Sequence, residues 1–160
     1  MTQSTTKPYW PTAPELPAEV FAVLHKPGRA INPIAIVATV DEDGSPRTAP
    51  FGSMRTITPP LLRLTSFHGH ETYANLCRDG RVMIAVLAPP DISVSIRGRA
   101  RVAKGCLDTD ERHAAVDIDI EEVKNDMVRR LVIESGVTVS VKEGLAGWFD
   151  SVLGEIEGMQ

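Results

Sequence analysis

The chain reads as mainly β with flanking α: six to seven antiparallel strands in a closed or partly closed barrel, with short N-terminal, capping and C-terminal helices. Three stretches predict this. Residues 92–103 (ISVSIRGRARVA) alternate strictly, the mark of a half-buried antiparallel strand. Residues 34–54 hold two strand-like runs joined through Asp43-Gly44, a strong hairpin signal. Residues 61–87 pass from a strand to a short helical period and at once into an apolar run.

Taken in order, the first fifteen residues (MTQSTTKPYWPTAPE) are polar and proline-rich and read as a flexible arm, leaving 16–160 as one domain. Leu16 to Lys26 reads as a helix: Pro17 suits its first turn, Val20, Val23 and Leu24 share a face, and Pro27-Gly28 ends it. Ile34–Asp41 is the first long strand, and Pro46 to about Met54 the return strand, its proline acceptable at the first position. After Thr58-Pro59-Pro60 comes a strand over Leu61–Phe67. Residues 70–79 switch to helical period, with Tyr73, Leu76 and Cys77 on one face and Gly80 as the stop. Val82–Leu87 is continuously apolar, as for a strand covered on both faces. Val116–Ile120 alternates again, and Val137, Val139 and Val141 mark a last strand. Leu145, Trp148, Phe149, Val152, Leu153 and Ile156 then form the apolar stripe of a C-terminal helix.

Composition narrows the function classes. A net charge of −4 argues against a nucleic-acid partner, which needs a basic face, and 5% aromatic content argues against a stacking platform for single strands. No run reaches transmembrane length and the N-terminus has no apolar leader core, so the expected location is the cytoplasm, without membrane association. Cys77 and Cys106 have neither framework numbers nor CxxC spacing and read as reduced thiols. There is no nucleophile elbow, P-loop or dinucleotide glycine motif.

Three segments, IAIVATVDEDGSPRTAPF, LRLTSFHGHETYANLCRDGRVMIAVL and ISVSIRGRARV, stand in an order and spacing that resembles the FMN-binding split barrel of the pyridoxamine 5'-phosphate oxidase-like superfamily. The resemblance runs from about residue 17 to 104, more weakly beyond. It implies a split β-barrel that is a homodimer, with FMN at the subunit interface and a small-molecule substrate, hence an FMN-dependent oxidoreductase. Carried over position by position, Arg47, Thr48, Ala49, Pro50, Phe51 and Gly52 would run beside the phosphate, ribityl chain and ring. Thr65 and Ser66 would offer hydroxyls at the end of a strand. Thr72 stands in the place of a phosphate-binding lysine, His70 could donate to the phosphate, and Ser93 would come from the second subunit. The chain departs from the pattern at Glu71-Thr72, where many members carry Arg-Lys. A carboxylate about 4 Å from a phosphate is repelled by roughly 1–4 kcal/mol per charge pair. The C-terminal tryptophan–arginine pattern of true pyridoxamine phosphate oxidases is missing, so vitamin B6 oxidation is not expected. An F420-dependent reductase, or a non-catalytic barrel binding flavin or haem, are the alternatives.

Other groups weigh toward structure. His68 and His70 lack a third nearby ligand and read as surface-loop histidines, so no metal site is expected. Arg97, Arg99 and Arg101 share a strand face and read as a solvated or ion-paired stripe, with an anion-binding wall as the functional alternative. Asn75 reads as a local hydrogen-bonding residue. No side chain can be singled out as catalytic.

Overall fold

The computed structural model describes residues 9–160. Residues 1–8, part of the expected arm, lie outside the described residues. Of its remainder, Trp10 Nε1 donates to Glu19 Oε1 at 2.7 Å and Thr12–Ala13 (β1) forms a two-residue strand. The first helix is Ala18–His25 (α1), ended by Lys26 in the left-handed region and a 3₁₀ turn over Pro27–Arg29.

The strands that follow are Ala35–Val40 (β2), Pro46–Phe51 (β3), Arg55–Thr58 (β4), Leu61–Phe67 (β5), Arg81–Ala88 (β6), Ile92–Lys104 (β7) and His113–Asn125 (β8). Glu71–Arg78 (α2) and Ala146–Gly158 (α3) are the other helices. All pairings are antiparallel, in the order β3-β2-β6-β7-β8-β5-β4, with β1 on the far half of β8. Eight strands form where six to seven were expected: β1 joins the sheet, β4 follows the return strand beyond its expected end near Met54, and the strand expected at residues 137–141 does not form. The break between β3 and β4 includes Gly52-Ser53, where a Cβ on Gly52 would come within 3.0 Å of Ile34 Cδ1 and 3.2 Å of Ile31 Cβ.

The sheet curls but does not close: its edges β3 and β4 follow one another in the chain without pairing, which is the split of a split barrel. Its interior is apolar, with Val37, Leu62, Leu64, Ile84, Ile96 and Ile118 fully buried and α1 plugging one end through Val20 and Leu24. α3 packs outside through Val152, Leu153 and Ile156, against Leu107 and Ala115.

Two expectations fail. Val137, Val139 and Val141 alternate but form no strand: β2 already has β3 and β6 on its two edges, so the segment makes one backbone bond, Ile34 N to Val137 O at 2.9 Å. Asn32 secures it instead, exchanging two side-chain bonds of 2.9 Å with Val139. The run 82–87 is covered on one face only; Val82, Ile84 and Val86 point inward, whereas Met83 and Leu87 are 42% and 41% exposed. Among the described residues, no helix is long and apolar enough to cross a membrane.

Candidate functional site

The split of the barrel holds a cleft of about 270 Å³. One wall is the end of β3 and its bend, Pro50 to Ser53; the other is the end of β5, Thr65 to Phe67. Ser53 ties them together: Thr65 N donates to Ser53 Oγ at 3.1 Å, and Ser53 Oγ donates to Thr65 O at 3.2 Å. His70, the N-cap of α2, and His113, opposite Phe67 in the β5–β8 register, stand at the rim. Trp148, Phe149, Val152 and Leu153 of α3 form the roof.

That roof is fixed. The buried Arg63 holds Asp117 through Nε–Oδ1 at 2.6 Å and donates through Nη1 to the α3 carbonyls of Ile156 and Met159 at 2.9 and 3.1 Å. Arg55 Nε donates to Glu157 Oε1 at 2.8 Å. Glu155 accepts from Asp108 N, Thr109 N, Thr109 Oγ1 and Lys104 Nζ at 2.7–3.0 Å. Burial raises the pKa of that carboxyl, but these donors outweigh burial and hold it at about 2. Trp148 Nε1 donates to Asp110 Oδ2 at 3.0 Å, which fixes the indole over the cleft.

Three buried polar atoms here have no hydrogen-bond partner among the described residues: Thr65 Oγ1, Ser66 Oγ and His113 Nδ1. His113 Nδ1 lies 3.3 Å from Asp110 Oδ2 without the alignment of a hydrogen bond. A buried polar group left unpaired costs about 1–3 kcal/mol. Adjacent strand residues point to opposite faces, so Thr65 Oγ1 lies on the α3 side with Arg63, and Ser66 Oγ on the barrel side with Leu62 and Leu64. An unpaired Thr65 hydroxyl under an apolar roof is what a ligand edge with hydrogen-bonding atoms would satisfy.

Of the residues the resemblance assigned, Pro50, Phe51, Gly52, Thr65, Ser66 and His70 line this cleft. Arg47, Thr48, Ala49, Thr72 and Ser93 do not. Ala49 faces the barrel interior and Thr48 is exposed. Thr72 is buried in α2, its N–H donating to His70 Nδ1 at 3.3 Å. Ser93 begins β7 opposite Leu87. The Arg47 guanidinium grips Asp41, with Nε 2.9 Å from both carboxylate oxygens and Nη2 2.8 Å from Oδ2, and lies 3.3 Å from Glu71 Oε2. Hydrogen bonds from Arg47 and then Asn75 hold the Asp41 carboxyl below its usual range, and the same pairing raises Arg47 above its own.

Sequence reasoning missed Ser53, Phe67, His113 and the four α3 residues. Trp148 and Phe149 lay in a stripe that reads equally well as core, and only the β5–β8 register brings His113 to Phe67. His68 contacts Gly105 O at 2.6 Å, and no three His, Cys, Asp or Glu side chains converge among the described residues. The arginine stripe is paired within the chain: Arg97 with Glu121 and Glu122, Arg99 with Glu121, and Arg101 with Asp119 at 2.9 Å.

A flat ring with polar edge atoms fits these residues: the Thr65 hydroxyl on one side, aromatic and aliphatic surface on the other. A phosphate fits less well, since no lysine or arginine lines the cleft.

No curated protein matches the chain. Among solved structures it resembles a pyridoxamine 5'-phosphate oxidase-like protein of Lactobacillus delbrueckii, at 26% identity and TM-score 0.57, over 71% of this chain and 98% of that one. It shares its fold with an F420 reductase (14% identity, TM-score 0.55, 69% and 100% covered). HupZ of Group A Streptococcus is a further fold match (18% identity, TM-score 0.53, 78% and 99% covered). The family model for pyridoxamine 5'-phosphate oxidase matches residues 21–134, which hold seven of the eight strands, both walls of the cleft and α2. On that match, the chain belongs to the pyridoxamine 5'-phosphate oxidase family.

Proposed function

We propose that the protein is a homodimeric flavoprotein that binds FMN non-covalently in the split-barrel cleft and acts as an oxidoreductase on a small molecule. The observation that carries this reading is the unpartnered hydroxyl Thr65 Oγ1 at the foot of a cleft walled largely by apolar and aromatic side chains. When bound, the flavin supplies the hydride- or electron-transfer chemistry. The chain's residues bind and orient. The Thr65 hydroxyl can donate to, and accept from, heteroatoms on a ring edge. Gly52, without a side chain, lets a ligand lie close to the β3 bend. Trp148, Phe149, Val152 and Leu153 exclude water, and the imidazoles of His70 and His113 can hold or pass a proton at the rim.

The second copy is supported by the outer sheet face. Ile36, Ala38 and Val40 of β2 lie beside Met83 and Leu87 of β6, and the charged rim carries both signs, Arg97 and Arg99 beside Glu121. A two-fold contact requires such a self-complementary face. The two exposed free thiols, Cys77 and Cys106, suit a reducing cytoplasmic setting.

Size-exclusion chromatography with full spectra tests the proposal. A dimer carrying a flavin spectrum, bleached by NAD(P)H and restored by air, is the expected result; a deazaflavin spectrum or a Soret band would replace FMN. A colourless protein that fails to quench added FMN or riboflavin refutes flavin binding.

A further inference from the structure

Building on the flavin reading, we infer that this cleft recognises the flat ring system of its ligand and takes almost nothing from a terminal phosphate, so that riboflavin and FMN bind with similar affinity.

The first ground is the charge of the site. Its lining is Pro50, Phe51, Gly52, Ser53, hydroxyls, two histidines and the α3 roof, without one permanent cation. Of the cations just outside, Lys26 has no carboxylate partner among the described residues, but its Nζ bonds the Ile31 and Gly52 carbonyls and it does not line the cleft. The others are matched. Arg63 is consumed by Asp117 and two α3 carbonyls, Arg55 by Glu157, Lys104 by Asp108 and Glu155, and Arg112 by Asp110. Arg47, the one cation in the expected phosphate set, holds Asp41 in a two-pronged pair and has Glu71 beside it. A phosphate dianion brought to Arg47 displaces or confronts two carboxylates. The neighbouring cavity along α2 adds Glu42 and Asp43 to the same side, against the single cation Arg78, whose guanidinium is bonded to Asn75 Oδ1 and Val40 O. The field there opposes a second negative group.

The second ground is what the site does offer. The Trp148 indole is held by Asp110 and stacks edge-on against Phe149, with centroids 4.8 Å apart at 83°, and against His113 at 5.0 Å and 62°. An aromatic assembly held this firmly presents a ready surface to a second ring at little ordering cost. Below it, on the α3 side of β5, Thr65 Oγ1 awaits a partner on a ring edge. This roof comes from residues 146–158, beyond the family-matched segment 21–134.

Flavin-fluorescence quenching with the full chain, freed of bound ligand, tests this with FMN and riboflavin at low and high salt. The expected dissociation constants agree within about threefold, and the FMN value shifts by less than about twofold with salt. Arg47→Ala leaves FMN affinity within about threefold, whereas Trp148→Ala weakens both flavins by about tenfold or more. Should Trp148→Ala unfold, as judged by circular dichroism, Thr65→Val serves, weakening both flavins by one common factor of about fivefold. FMN binding about thirtyfold or more tighter than riboflavin, or lost by a similar factor in Arg47→Ala, overturns the inference and leaves the flavin function standing. Binding of neither flavin overturns the function, and this inference with it.

Discussion

Replacing Lys26 by methionine probes the charge balance behind the cleft wall. Lys26 is 3% exposed at the C-cap of α1, and its Nζ donates to Ile31 O at 3.1 Å and to Gly52 O at 3.2 Å. No carboxylate among the described residues pairs with it, and Arg55 lies close by. Burial first, and the Arg55 charge second, lower its pKa from 10.5 to about 7. A base whose folded pKa is lowered binds fewer protons folded than unfolded between those two values. Stability therefore rises with pH from about 7 to 10.5, and below 7 the whole penalty is present. That interval is worth about 5 kcal/mol. Methionine removes the penalty but deprives Ile31 O of its donor, at about 1–3 kcal/mol, while Gly52 O keeps Arg55 Nη1. The variant should thus be more stable than the parent by about 2–4 kcal/mol at pH 6 and less stable by about 1–3 kcal/mol near pH 10.5. Urea unfolding of both proteins across that range measures the difference. Parallel pH profiles for parent and variant would show that the amine is not depressed and refute the reasoning.

Other expected outcomes follow from the same contacts. Asp117→Asn leaves the buried Arg63 guanidinium without its counter-charge and should cost about 3–5 kcal/mol by urea unfolding. Loss below about 1 kcal/mol would mean that the α3 carbonyls alone satisfy Arg63. Gly52→Ala drives a methyl into Ile31 and Ile34, and should destabilise by about 1–3 kcal/mol and weaken flavin binding in fluorescence titration. Leu87→Arg places a charge on the outer sheet face; light scattering should give the monomer mass with the circular dichroism spectrum unchanged, and a persistent dimer would put the interface elsewhere.

The parts of the fold legible in the sequence were those set by local rules. Asp43-Gly44 turns the first hairpin, Gly44 N donating to Asp41 O at 2.9 Å, and Leu61–Phe67 spans the strand expected after Thr58-Pro59-Pro60. Helix α2 shows where such rules run out. Its apolar residues point to a buried face of Tyr73, Leu76 and Cys77, yet the face that packs is Thr72, Asn75 and Leu76. Asn75 Nδ2 reaches Thr39 Oγ1 at 3.0 Å and Asp41 Oδ1 at 2.8 Å, so polar residues satisfied by a neighbouring strand prevail over hydrophobic count. The cleft divides in the same way. Its walls lie on β3 and β5, close together in the chain, and follow from the motif, whereas its roof depends on how Arg63 and Arg55 dock a helix about ninety residues further on, which no periodicity encodes.

The order of synthesis gives that roof a further significance. The segments bearing Ser53 and Thr65 leave the ribosome well before α3 does, and a domain folds as a unit. Before α3 emerges, the trough between β3 and β5 has no roof, and Arg63 lacks the helix-end carbonyls it later holds. The closed cleft therefore exists only in a polypeptide whose translation has passed Leu153.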